Sequence, residues 1–188
     1  GPAPQTVSFD AATRTLSDGN TEALTLTAGP SLCTYTAVAA GLDVSVVTSS
    51  TGVMIMRVNN PSGLSTSQVL VPVQDLPKAE LAGTWNVLGY ERGAGNAQLP
   101  EQFGHSAVKL TFDNTGDFVS GAECVKNACE AWPAEDKMTA TRNADGTFHL
   151  TDEGGVSKVL LYKNSSGQAA MFVSNTMGGI MFGAKVQA

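Results

Sequence analysis

The sequence predicts an all-β protein in two domains. A small antiparallel, sandwich-like domain covers about residues 5–75, and an up-and-down barrel of about eight strands covers about 80–188. Three observations carry this. Apolar and polar residues alternate with a period of two in run after run, and β-branched residues dominate the N-terminal runs. Clusters of Asn, Asp, Gly and Pro separate the runs at short intervals. No stretch of any length keeps the 3.6-residue period of a helix.

In the N-terminal part the alternating runs are 24–27, 33–38, 42–46, 53–58 and 69–73. Asp18-Gly19-Asn20, Gly29-Pro30, Gly41, Thr51-Gly52 and Asn59-Asn60-Pro61-Ser62-Gly63 punctuate them. Met54 and Met56 fall on one face of their run and are expected in the core. The composition is rich in Thr, Ser, Val and Ala and poor in charge, as in an immunoglobulin-like sandwich. Residues 74–80, with Pro77, read as a linker.

The C-terminal runs are 84–91, 107–112, 118–124, 137–142, 147–151, 157–162, 169–174 and 179–186. Three turns share one chemistry: Asp113-Asn114-Thr115-Gly116-Asp117, Asn143-Ala144-Asp145-Gly146-Thr147 and Asn164-Ser165-Ser166-Gly167. Each places Gly where a hairpin requires positive φ, beside Asn or Asp. Strands joined in sequence by short turns make a meander, and about eight close a small barrel.

Gly83-x-Trp85 opens this meander, after Leu81-Ala82. A Gly-x-Trp start followed by about eight meandering strands resembles the lipocalin and calycin group, and more narrowly the small bacterial lipocalin-like domains. The resemblance covers about residues 80–188. It implies a lipocalin-like barrel in which Gly83 and Trp85 are structural, the indole closing the bottom. It also implies that the loop after the first strand, about 93–106 with Phe103 and His105, caps the open end. The group's Thr-Asp-Tyr motif on a late strand has no counterpart here. The tail from Met177 to Lys185 is similar to the closing strands of bacterial surface-lipoprotein barrels, which implies a protein partner.

Charge and composition narrow the function. The net charge is −6, which argues against nucleic acid and against an anionic membrane surface. No apolar run approaches the ~20 residues of a membrane-spanning helix. Gly1-Pro2 has the form of a remnant of tag cleavage, so a native N-terminal segment is expected upstream. Cys124 and Cys129 enclose four residues, a spacing that suits a disulfide; two free thiols or a metal site are the alternatives. A disulfide places the protein in an oxidising compartment, periplasmic, cell-surface or secreted. Cys33, in an apolar run, is expected to be a buried thiol.

The candidate ligand-binding residues are Met171, Met181, Phe103 and Trp132. Methionines adapt to irregular apolar ligands, and Met171, Met177 and Met181 gather with Phe172 and Phe182 in the last two strands. Alternation separates Met171 from Phe172 and Met181 from Phe182, so one set lies outside or is covered. Core packing is the competing reading for the methionines. Glu130, Glu135 and Asp136 around Trp132 offer an acid/base pair or a solvated loop, and Asp113 and Asp117 offer a cation site or turn chemistry. Neither His105 nor His149 sits in a recognisable metal or nucleophile motif, and no phosphate-cradling or nicotinamide fingerprint is present. The expected function is non-enzymatic, without metal or cofactor: an exported barrel that binds a small apolar ligand. The alternative is a periplasmic or surface module that binds another protein, its barrel filled by side chains.

Overall fold

The computed structural model describes residues 7–19, 23–39, 41–49, 52–94, 101–125, 128–164, 166–175 and 179–186, with the backbone alone at 91–94 and 101–106. Every described strand pairing is antiparallel, and the one described helix is a single 3-10 turn. The chain divides into two compact units, Gly1–Val71 and Pro72–Ala188.

In the first unit β1 (Ser8–Asp10), β2 (Thr15–Ser17) and β3 (Leu24–Thr25) form a three-stranded sheet. Strands β4 (Thr27–Ala28), β5 (Thr34–Ala39), β6 (Leu42–Thr48), β7 (Met54–Asn59) and β8 (Ser65–Leu70) form a five-stranded meander. Leu16 from the first sheet and Val44 and Val46 from the second join Leu26 in one buried cluster, against which Met54 and Met56 pack. Strand β6 shows why: Val44 and Val46 point in, while Asp43, Ser45 and Val47 point out.

Cys33 is not the buried thiol that its apolar neighbours suggest; it is exposed. It ends a turn before β5, at φ +60°, and its carbonyl accepts the N–H of Thr48. Leu32 beside it is 95% exposed. An apolar stretch at a strand entrance was here spent on a turn.

The second unit is one nine-stranded sheet curled into a half-barrel. Its strands are β9 (Gly83–Ala94), β10 (Glu101–Phe112), β11 (Phe118–Val125), β12 (Ala128–Ala131), β13 (Thr139–Arg142), β14 (Phe148–Asp152), β15 (Gly155–Lys163), β16 (Ala169–Asn175) and β17 (Ile180–Lys185). Each pairs with its sequence neighbour except β12 with β13, and the last strand, β17, pairs with the first, β9. Parity explains the open seam. An antiparallel meander closes on itself only with an even number of strands. With nine, β12 and β13 run in the same direction, and parallel neighbours need a crossover of a dozen or more residues. Only residues 132–138 connect them. The short strand β12, which the sequence does not announce, is what makes the count odd.

The core follows the alternation. Trp85 and Val87 on β9, Leu110 and Phe112 on β10, Phe148 and Leu150 on β14, Val159 and Leu161 on β15, and Met171 and Val173 on β16 are all buried in one cluster. Burying such side chains is worth roughly 1.5–3 kcal/mol each relative to exposure.

The segment read as a linker is instead bound to the half-barrel. Gln74 donates to the carbonyl of Lys163 (3.0 Å) and accepts its N–H (2.9 Å), as a strand neighbour would. Leu76 packs on the core, and its carbonyl accepts the Nε–H of Arg142 (3.0 Å), which also pairs with Asp75. The 3-10 turn Lys78–Leu81 follows. Lys78 pairs with Asp117 (2.6 Å) and Glu80 with Lys163 (2.7 Å). Leu81 is fully buried, and its carbonyl accepts the indole N–H of Trp85 (2.7 Å). This strap seals one end of the half-barrel.

Candidate functional site

A cavity of about 270 Å³ reaches into the half-barrel, just under the usual range of about 300–1,000 Å³ for ligand sites. Val87, Val108, Leu110, Leu150, Val173 and Met181 form its apolar walls. Alternation places them there, since each is the inward residue of its strand. Glu123, Asp152 and Ser157 add polar groups, of which Glu123 and Asp152 are exposed and so mark its mouth. Glu123 is inward by register with Gly121 but lies near the end of β11. Asp152 begins the β14–β15 turn, where its Oδ1 accepts the N–H groups of Gly154 (2.8 Å) and Gly155 (3.0 Å).

Trp132 and Met138, at the two ends of the connection across the open seam, complete the lining. Both also line a second cavity of about 260 Å³, with Asp136, Lys137, Asp152, Glu153 and Gly154. Trp132 is held in place from three sides. Its N–H donates to the carbonyl of Gly121 (3.0 Å). Its ring lies 6.2 Å from that of Phe118, which meets Phe112 edge-on at 6.0 Å. Gly121 leaves room for the indole: a Cβ there would collide with the ring.

The sequence-predicted residues separate in the structure. Trp132 and Met181 line the cavity. Met171 lies deeper; it is fully buried and packs over Gly183, outside the lining. Phe103 and His105 fall on β10, so the backbone there is a strand rather than a capping loop, and their side chains lie outside the described residues, as does Met177. Trp85 is 0% exposed, and the ammonium of Lys185 sits 5.7 Å above its ring. Gly83 takes φ +104°, and a Cβ there would stand 2.9 Å from Cε of Lys185. Cys124 and Cys129 face each other across β11 and β12 and are joined by a disulfide. The outer face holds the other half of the alternation: Phe172 and Phe182 meet edge-on at 5.2 Å.

The acidic turns are occupied by their own backbones. Asp113 accepts from the Thr115 hydroxyl (2.7 Å) and from the N–H groups of Asp117 and Thr115, which hold its carboxyl below the ordinary range. The Lys78 ammonium and then the Thr115 hydroxyl do the same for Asp117. The Thr147 hydroxyl, the Thr147 N–H and the Lys158 ammonium lower Asp145 most. Among the described residues no group of three or more His, Cys, Asp or Glu is placed to hold a metal ion. No described helix is long and apolar enough to cross a membrane.

The chain matches no protein-family model, and neither a curated protein nor a solved structure is similar to it. The site therefore rests on its own geometry. Sequence reasoning missed Glu123, Met138 and Asp152. Only Glu123 carried a signal, its period-two register with Gly121; the other two are brought in by the seam and the turn.

Proposed function

We propose that this is a non-enzymatic, exported binding protein whose lipocalin-like half-barrel holds a small, mainly apolar ligand. The observation that carries the reading is the cavity of about 270 Å³ walled by six aliphatic and thioether side chains and roofed by Trp132. Apolar walls with a few placed polar groups are the usual make-up of small-molecule sites. The strap supports it by closing the opposite end, so the cavity has a floor. The disulfide supports export, because such bonds persist in oxidising compartments.

A titration of the full chain with 1-hexanol tests this, followed through the methyl signals of Met138 and Met181 in protein labelled at methionine. Saturable shifts are expected at these two methyls, with none at Met54 and Met56. Val108→Phe, at a half-buried wall position, should weaken binding at least tenfold with the urea midpoint little changed. Absence of saturable shifts at Met138 and Met181 refutes the reading.

One observation favours a second reading, a periplasmic or surface module for another protein. Leu88, Tyr90, Ile180 and Phe182 on the outer face of β9 and β17 stay exposed, Leu88 by 61% and Phe182 by 42%. Leu88→Ser with Phe182→Ser would leave hexanol binding intact and abolish partner binding under that reading.

A further inference from the structure

Among the described residues the cavity's charge is one-sided: its walls are apolar, and the charged side chains that line it are Glu123 and Asp152, both carboxylates at the solvent end. Among the described residues neither pairs with a Lys or Arg. Asp152 spends Oδ1 on two backbone N–H groups, which fixes the carboxylate in place and leaves Oδ2 outside those bonds. Lys137 belongs to the lining of the second cavity, not this one, and there it stands among Asp136, Asp152 and Glu153. Trp132 supplies the third feature, since an indole attracts a cation held near its ring.

From this arrangement we propose that the ligand is an amphiphilic amine: an apolar body along Val87, Leu110 and Met181, and a protonated amino group at the mouth between Glu123 and Asp152, beside Trp132. The inference rests on the binding reading above and adds the ligand's charge and orientation. The physics favours one polarity. Each opposite charge about 4 Å away is worth roughly fivefold in affinity even at the dielectric constant of water. A carboxylate or sulfate ligand meets two like charges instead.

Three size-matched probes separate the two readings: hexylammonium, 1-hexanol and hexanoate, titrated into the full-length protein by calorimetry at neutral pH and low salt. Hexylammonium should bind at least tenfold tighter than 1-hexanol, and hexanoate should bind more weakly than 1-hexanol. Glu123→Gln and Asp152→Asn should each cut hexylammonium affinity about threefold or more, and the double variant should erase its advantage. Hexanol affinity should change less than hexylammonium affinity in each variant, and an equal loss of both probes overturns the assignment of the amine to these carboxylates. Equal binding of hexylammonium and 1-hexanol overturns the amine inference and leaves the apolar reading standing. A preference for the amine that survives the double variant places the amine elsewhere and overturns it too. If none of the three probes binds, both readings fall together.

Discussion

Trp85→Ala is the most searching perturbation of the half-barrel. The indole is fully buried in the main cluster, and large-to-small aromatic changes in such positions cost about 3–5 kcal/mol. Its N–H also satisfies the carbonyl of Leu81, and a buried acceptor left without a donor costs a further ~1–3 kcal/mol. The expected loss is thus roughly 4–8 kcal/mol, a large part of the 5–15 kcal/mol that usually holds a domain together. Trp85→Phe is the milder companion: it loses the N–H together with part of the indole volume, so it should cost more than the ~1–3 kcal/mol of the lost donor and less than Trp85→Ala. The assay is urea unfolding of the whole chain followed by tryptophan fluorescence. Both tryptophans, 85 and 132, lie in the second unit, so the signal reports that unit, and Trp132 remains as the probe in either variant. Trp132→Ala, at a half-buried position bordering two cavities, should cost far less. A loss under about 1 kcal/mol for Trp85→Ala, or a larger loss for Trp132→Ala, refutes the view that Trp85 and the strap close the core.

Three further outcomes follow from the geometry. Gly121→Ala should destabilise by about 1–3 kcal/mol, as overpacking does, and should shift Trp132 emission to longer wavelength; an unshifted spectrum would show that the ring is not seated on Gly121. One thiol, Cys33, should react with an aromatic disulfide reagent in the native protein and no more should appear in denaturant; a count of three, or a thiol that needs denaturant, contradicts the disulfide or the exposed turn. Asp113, Asp117 and Asp145 have folded values below the ordinary 3.8, so what their ionised forms contribute is complete above about pH 4 and lost as the pH falls through the lower folded values. The urea midpoint should therefore decline from pH 4.5 to 2.5, and Asp145→Asn should flatten the decline; an identical slope in the variant would remove Asp145 from the account.

Much of this architecture is legible in the sequence because local chemistry and tertiary structure agree. Gly116 and Gly146 sit at positive φ where the Asp-containing turns require them, and the inward residues of β14 to β16 alternate as written. The disagreements have identifiable causes. Strand β12 spells Ala-Cys-Glu-Ala, which has no β-branched residue, and it exists because a disulfide and four register pairs hold it to β11. Gln74 to Glu80 looks like a linker because its bonds are made to Lys163, Arg142 and Asp117, far away in the chain. Cys33 is apolar in composition but is placed by a turn whose hydrogen bonds run to Ser31 and Thr48. At the cavity, Trp132 was visible as a large residue in a loop, whereas Asp152 reaches the mouth only through the β14–β15 turn.

The odd strand count has a mechanical meaning. A closed barrel admits a molecule wider than its mouth only by rupturing a ladder of backbone bonds. Here the margin between β12 and β13 carries no ladder, and the obstacle is a single indole resting on a glycine. The disulfide joins the paired ends of β11 and β12. On the binding reading proposed above, widening the entrance would displace β12 and Trp132, with the described strand pairs around the rest of the wall still joined. On that reading the half-barrel would act as a clasp, paired strand to strand along its wall and unpaired at the one margin between β12 and β13.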